Sequence, residues 1–100
     1  MLSSNNRKTY RIYALVEPIS NRPRYVGQTA DTIENRLREH VRKRRATAKG
    51  EWVQSLLDAN LLPGIVLLEE FVGYRRQAYE RETHWIRQLR SEGQQLLNVP

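Results

Sequence analysis

The stretch "RYVGQTADTIENRLREH", residues 24–40, changes its periodicity halfway along. Its first half, Arg24 to Thr29, has the aromatic and β-branched bias of a strand, and Gly27 inside it marks a bulge or a close approach of backbone. Its second half opens a helix. Asp31 or Thr32 offers an N-cap, with Glu34 three residues after Asp31 in capping-box register, and the pattern predicts helix to about Arg45. At about 100° per residue, Ile33, Leu37 and Val41 share one stripe that should face a sheet. Arg36 and His40 lie one helical turn apart along an edge of that stripe, whereas Arg38, Arg42 and Arg45 point largely away. An arginine and a histidine so placed suit either a solvated flank or one wall of a site.

Upstream, "YRIYALVE" from Tyr10 to Glu17 reads as a strand, and "PISNRP" reads as the connection of a hairpin to the strand just described. Residues 1–9 are polar and expected to be loose, leaving residues 10–100 as one domain. Downstream, Ala46 to Gly50 ends the first helix. Trp52, Val53, Leu56, Leu57 and Ala59 then recur at helical spacing between Glu51 and Leu62, before the breaker Pro63-Gly64. "IVLLEEFV" is a short apolar run expected to form a third strand, buried on at least one face. "YRRQAYERETHWIRQLRSEG" is a long helix ending near Gly93, followed by an extended "QQLLNVP". The order strand, strand, helix, helix, strand, helix predicts a small α+β fold, an antiparallel three-stranded sheet flanked by helices.

The last helix carries the most informative residue. Ala78, Trp85, Ile86 and Leu89 define its buried stripe, Glu82 falls in the middle of that stripe, and Glu80 and His84 fall opposite. A carboxylate centred on an apolar stripe costs several kcal/mol to bury unless it is paired, protonated or bound to a cation. Glu82 therefore reads either as half of a structural salt bridge, with Arg36 as a candidate partner, or as a functional group. Tyr13 and Tyr25 sit in the hairpin strands, where either could simply be an amphipathic core residue.

Composition narrows the partners. A formal charge of +6 and a pI near 10.2 favour a polyanion, and nucleic acid over a membrane, because no basic helix with a wide apolar face is present. With 39% hydrophobic and 28% charged residues the chain has ordinary globular composition. It contains no cysteine, which excludes a disulfide-linked partner and thiolate-bound zinc. The first residues lack the apolar run of a signal peptide, so a cytoplasmic setting is expected.

Taken together, "RIY" at 11–13, "YVG" at 25–27, "RLREH" at 36–40, "ERETHWI" at 80–86 and "LLN" at 96–98 make the chain resemble the GIY-YIG nuclease family. The likeness runs from about Tyr10 to Asn98. It implies that Tyr13 and Tyr25 line a catalytic site, that Arg36 contacts the scissile phosphate, that Glu82 holds a divalent metal, magnesium or manganese, and that Asn98 supports the site by hydrogen bonding. His40 matches a histidine of many members. It further implies DNA as the substrate. Three departures stand out: Arg11 replaces the glycine of the first signature, Gln28 follows the second where some members have lysine, and the segment between the first two helices lacks the histidine of some members but carries Lys49.

The residue types suit phosphodiester hydrolysis. Magnesium prefers oxygen ligands and keeps several waters, so one carboxylate plus the phosphate can hold it. An arginine forks onto two phosphate oxygens and stays charged. A tyrosine acting as base near neutrality needs nearby positive charge or a relay through a neighbour such as His40. Arg38, Arg42, Lys43, Arg44, Arg45, Lys49, Arg75 and Arg76 are candidates for phosphates flanking the cut. Besides an endonuclease, a catalytically silent DNA-binding module of the same fold and a basic adaptor for an acidic protein fit the charge. A single site would nick one strand, and a homodimer or a partner protein would supply a second cut or specificity.

Overall fold

The computed structural model describes residues 7–99 of the chain. Its elements are β1 (Lys8–Val16), β2 (Pro23–Thr29), α1 (Ile33–Arg42), α2 (Ala48–Asp58), β3 (Gly64–Gly73) and α3 (Arg75–Ser91). The three strands form one antiparallel sheet in the order β2-β1-β3. The expected α+β architecture and element order are present. No helix among the described residues is long and apolar enough to cross a membrane.

β1 is the central strand, and that placement explains its composition. Ile12 to Val16 are all buried, because successive side chains alternate between two covered faces. Ile12 packs with Val26 of β2 and Leu89 of α3, joined by Phe71, Trp85, Ile86 and Leu96. Tyr13, one residue on, turns to the other face and meets His40 and Arg36 of α1. The sheet thus lies between α3 and α1. Lys8 and Thr9, expected to be loose, are the first rungs of β1, paired to Gly73 and Val72 of β3. Of the rest of that segment, Arg7 has no regular structure and residues 1–6 lie outside the described residues.

β3 is less covered than its apolar run suggested. Leu68 and Phe71 join the core, but Val66, Leu67 and Val72 are exposed, since β3 is an outer strand and a register shift opposite Ile12 and Tyr13 breaks the alternation. Its Glu69 anchors α3: the carboxylate accepts from the Trp85 indole at 2.9 Å and from Arg81 Nε at 2.9 Å. Burial disfavours the Glu69 charge, but the bonds from Arg81 and Trp85 and the Arg81 charge outweigh it and hold the carboxyl below its ordinary range, and they tie β3 to α3.

The helix boundaries differ from expectation where capping decides them. α1 is capped by Thr32, whose hydroxyl accepts from Asn35 N, and ends at Arg42 rather than Arg45. Asp31 instead accepts from Thr32 N and Asn35 Nδ2. The four cations Arg42 to Arg45 gain little from continuing side by side on a helix. α2 begins earlier than expected because Thr47 caps it, its hydroxyl accepting from Gly50 N. Gly50 is therefore helical, not a breaker, and its missing side chain admits the Arg45 carbonyl: a Cβ there would stand 1.9 Å from that oxygen. α2 stops at Asp58 because Asn60 is left-handed, φ 60°, with Leu61 N donating to Leu56 O and Asn60 N to Leu57 O. The same pair of bonds ends α3, from Gln94 N to Leu89 O and Gly93 N to Arg90 O, with Gly93 at φ 90°. Both are Schellman closures.

Candidate active site

β1, β2 and α1 meet where Gly27 lies opposite Tyr13. A Cβ on Gly27 would stand 2.3 Å from the Tyr13 hydroxyl, so the missing side chain makes room for the phenol to lie across β2 and reach α1. That is the close approach the sequence suggested. Tyr13 is fully buried. Its hydroxyl oxygen accepts from Arg36 Nε at 3.2 Å and lies 2.7 Å from His40 Nε2.

His40 is the buried residue of α1, with 3% of its surface exposed. Ile33, Leu37 and Val41, the expected buried stripe, are only half-buried. The helix is rotated so that the edge carrying Arg36 and His40 faces inward, which removes the reading of a solvated flank. The rings of Tyr13 and Tyr25 both meet the imidazole edge-on at centroid distances of 5.7 Å. Lys49 Nζ lies 2.8 Å from its Nδ1 and 5.3 Å from the centre of the Tyr25 ring. Arg36 is steadied by Glu39, whose carboxylate accepts from Nη1 at 2.8 Å.

The protonation states follow from burial and neighbours. Burial, reinforced by the charges of Lys49 and Arg36, pushes the His40 imidazole down to about 3, so it is neutral at working pH. Burial pushes the Tyr13 phenol up to about 12, against the opposing pull of Arg36. Burial also raises Tyr25, and there the charge of Glu82 adds to the effect. Glu82 itself is raised by burial.

Glu82 is half-buried on α3 and, among the described residues, has neither hydrogen-bond nor ion-pair partner. The salt bridge to Arg36 does not form: Arg36 is engaged by Glu39 and Tyr13. Both phenols nonetheless feel both charges, with Arg36 lowering and Glu82 raising each. No group of three or more potential metal-ligating side chains occurs among the described residues. An ion at Glu82 would thus take most of its ligands from water and phosphate, which fits magnesium and fits a carboxylate that lacks any other partner.

A cleft of about 580 Å³ is lined by Tyr25, Arg36, His40, Lys49 and Asn98 together with Glu39, Lys43, Arg45, Thr47, Ala48, Leu97 and Val99; Tyr13 and Glu82 are not among its lining residues. Asn98 reaches it from the C-terminal segment. Its side chain acts as a short strand on the outer edge of β2, accepting from Val26 N and donating to Val26 O, both at 2.8 Å. Arg90 Nη2 and Leu97 N fasten the same segment to the fold. Asn98→Ala leaves both Val26 groups without these partners, so the melting temperature should fall by about 5–10 °C in a thermal denaturation scan. An unchanged melting temperature would mean that water replaces the amide without loss.

The cationic residues divide. Lys43, Arg45 and Lys49 line the cleft. Arg38 and Arg42 point outward, with Arg38 donating to Asn35. Arg44 bonds Gln54 and the Val41 carbonyl. Arg75 and Arg76 stand exposed at the start of α3, and Arg76 pairs loosely with Glu80 at 3.8 Å. Sequence reasoning did not single out Glu39, whose only signal was its position three residues after Arg36, nor the bond from Lys49 to the imidazole.

No curated protein and no solved structure compared with the chain matches it. The family model described as the GIY-YIG catalytic domain matches residues 9–96, a span that takes in all three strands and all three helices except the first residue of β1. It covers Tyr13, Tyr25, Arg36, His40 and Glu82 and ends two residues before Asn98. By its sequence across nearly its whole length, and by a fold in keeping with it, the chain belongs to the GIY-YIG catalytic domain family, a family of nucleases.

Proposed function

We propose that the protein is a divalent-metal-dependent endonuclease that hydrolyses DNA phosphodiester bonds beside Tyr25 and Arg36, at the wall of the cleft between α1, α2 and β2. The observation that carries this reading is Glu82, a half-buried carboxylate without a partner among the described residues, beside two tyrosines that also feel Arg36. A buried charge left without compensation is costly, and a site that must bind a cation is one place where that cost is retained.

Glu82 would hold magnesium or manganese, and the ion, when bound, acts as a Lewis acid on the phosphate and leaving oxygens. Arg36, which stays protonated, presents its remaining N–H groups to the scissile phosphate while Glu39 fixes the guanidinium plane. One of Tyr13 and Tyr25 takes a proton from the attacking water and the other orients that water. Tyr13 has Arg36 and His40 on its oxygen, and Tyr25 lies beneath the Lys49 ammonium at the cleft wall. Asn98 keeps β2, and with it Tyr25, in place. Lys43 and Arg45 extend the positive wall for flanking phosphates, and the outward arginines add non-specific attraction to the duplex.

Plasmid nicking tests the reading. Supercoiled DNA should relax with magnesium and remain intact with chelator. Tyr13→Phe and Tyr25→Phe should each lower the nicking rate at least about a hundredfold with DNA binding retained. DNA binding with no nicking at any metal concentration would point to a silent module, and neither binding nor nicking to an adaptor of acidic proteins.

A further inference from the structure

The Lys49–His40–Tyr13 chain has a direction. Lys49 Nζ is 2.8 Å from His40 Nδ1, and a protonated lysine has donors but no acceptor. Nδ1 must therefore accept. The neutral imidazole then carries its proton on Nε2, 2.7 Å from the Tyr13 oxygen, so Nε2–H donates to that oxygen. Arg36 Nε donates to the same atom at 3.2 Å. The Tyr13 oxygen thus receives two hydrogen bonds, both from groups that stabilise negative charge on it. If His40 took the opposite tautomer, its bare Nε2 would accept the phenol proton, and Tyr13 would donate to the imidazole instead of accepting from it.

We propose that Lys49 is a positioning residue, which by donating to Nδ1 locks His40 as the Nε2–H tautomer and so turns Tyr13 from a hydrogen-bond donor to His40 into a double acceptor, its buried oxygen lying behind the cleft wall that Tyr25, Arg36 and His40 form. The inference deepens the endonuclease reading and rests on it only for its kinetic consequence. No proton crosses His40 or Lys49, and each keeps its own. The arrangement follows the general rule that the bond at one imidazole nitrogen decides which nitrogen is protonated. Lys49 stands on the first turn of α2, a different element from His40, so the tautomer of a buried α1 residue is set from a neighbouring helix. His40 is also faced by Tyr13 from β1, by Tyr25 from β2, and by Arg36 and Glu39 from its own helix. Of these, none is hydrogen-bonded to Nδ1.

Nitrogen-15 NMR of the imidazoles, with the exposed His84 removed by His84→Gln to leave one signal set, reads the tautomer without reference to activity. The expected spectrum at neutral pH is that of an Nε2–H imidazole, with the two nitrogens well separated. In Lys49→Met the two shifts should move toward each other as the tautomers mix, and Lys49→Arg, which keeps a charged donor, should restore the separation. In nicking assays Lys49→Met should lower kcat at least about tenfold with KM for duplex DNA changed less than about threefold, and Lys49→Arg should recover most of the rate. An Nδ1–H spectrum in the parent protein overturns the proposal. So do shifts unchanged by Lys49→Met, or a loss confined to KM, which would make Lys49 a phosphate contact only. If the tautomer behaves as described but no variant or parent nicks DNA, the endonuclease reading fails while the positioning role stands.

Discussion

Glu82→Ala is expected to lower magnesium-dependent nicking at least about a thousandfold, roughly 4 kcal/mol of transition-state stabilisation, while the melting temperature stays level or rises. The two effects run in opposite directions for one reason. The carboxylate sits half-buried in the middle of the α3 stripe with no hydrogen bond or ion pair among the described residues, and burial raises its pKa. It therefore costs the fold something and returns nothing to it in the absence of a cation. Removing it relieves that cost. Its negative charge also raises both phenols, so alanine should make Tyr13 and Tyr25 easier, not harder, to ionise. If nicking nonetheless collapses, the lost element is the cation site and not the tyrosines. Glu82→Gln, which keeps the shape, should fail equally. A parallel loss of melting temperature and activity, or activity within tenfold of the parent, would assign Glu82 to structure instead.

The second large effect is expected at Gly27→Ala, a change that alters no charge. The new methyl would stand 2.3 Å from the Tyr13 hydroxyl and 2.5 Å from Cζ. The far end of a side chain usually yields to such an intrusion, but Tyr13 is fully buried and its oxygen is held by Arg36 and faces His40. Displacing the ring thus breaks polar contacts as well as packing. The penalty should be about 2–3 kcal/mol, a fall of some 10 °C or more in melting temperature for a chain of this size. Nicking should fall by about a hundredfold even below the melting transition, the cost of moving a reacting group by about an ångström. Calorimetry and rate measurement on the same preparation test both. A variant that melts like the parent and nicks at its rate would show that β2 can shift to admit the methyl.

Most of the architecture was legible before any coordinate. The strand bias of "YRIYALVE", the capping signal at Thr32, the stop at Gly93 and the stripe on α3 are local patterns, and each is set by interactions within a few residues. The errors fell where a local pattern met a neighbour. Gly50 reads as a helix breaker in isolation, yet it is buried inside α2 because the Arg45 carbonyl occupies its Cβ position. The apolar run of β3 reads as buried on at least one face, and Leu68 and Phe71 do join the core, but which of its residues stay exposed, Val66, Leu67 and Val72, was set by its outer placement. His40 could have been a solvated flank, but the rotation of α1 against the sheet buries it beneath both tyrosines.

For the site, the sequence by itself determined which chemical groups were available and that Glu82 was out of place on an apolar stripe, since periodicity and desolvation cost are properties of one helix and one side chain. Only the tertiary structure decided that Glu82 lacks the Arg36 partner, that Asn98 closes the free edge of β2, and that Lys49 aims the imidazole of His40 at Tyr13. Those are contacts between residues 9 to 72 positions apart, and a hydrogen bond depends on orientation to within a fraction of an ångström. Charge and spacing along a chain do not encode that orientation; the packing of α1, α2 and the C-terminal segment on the sheet does.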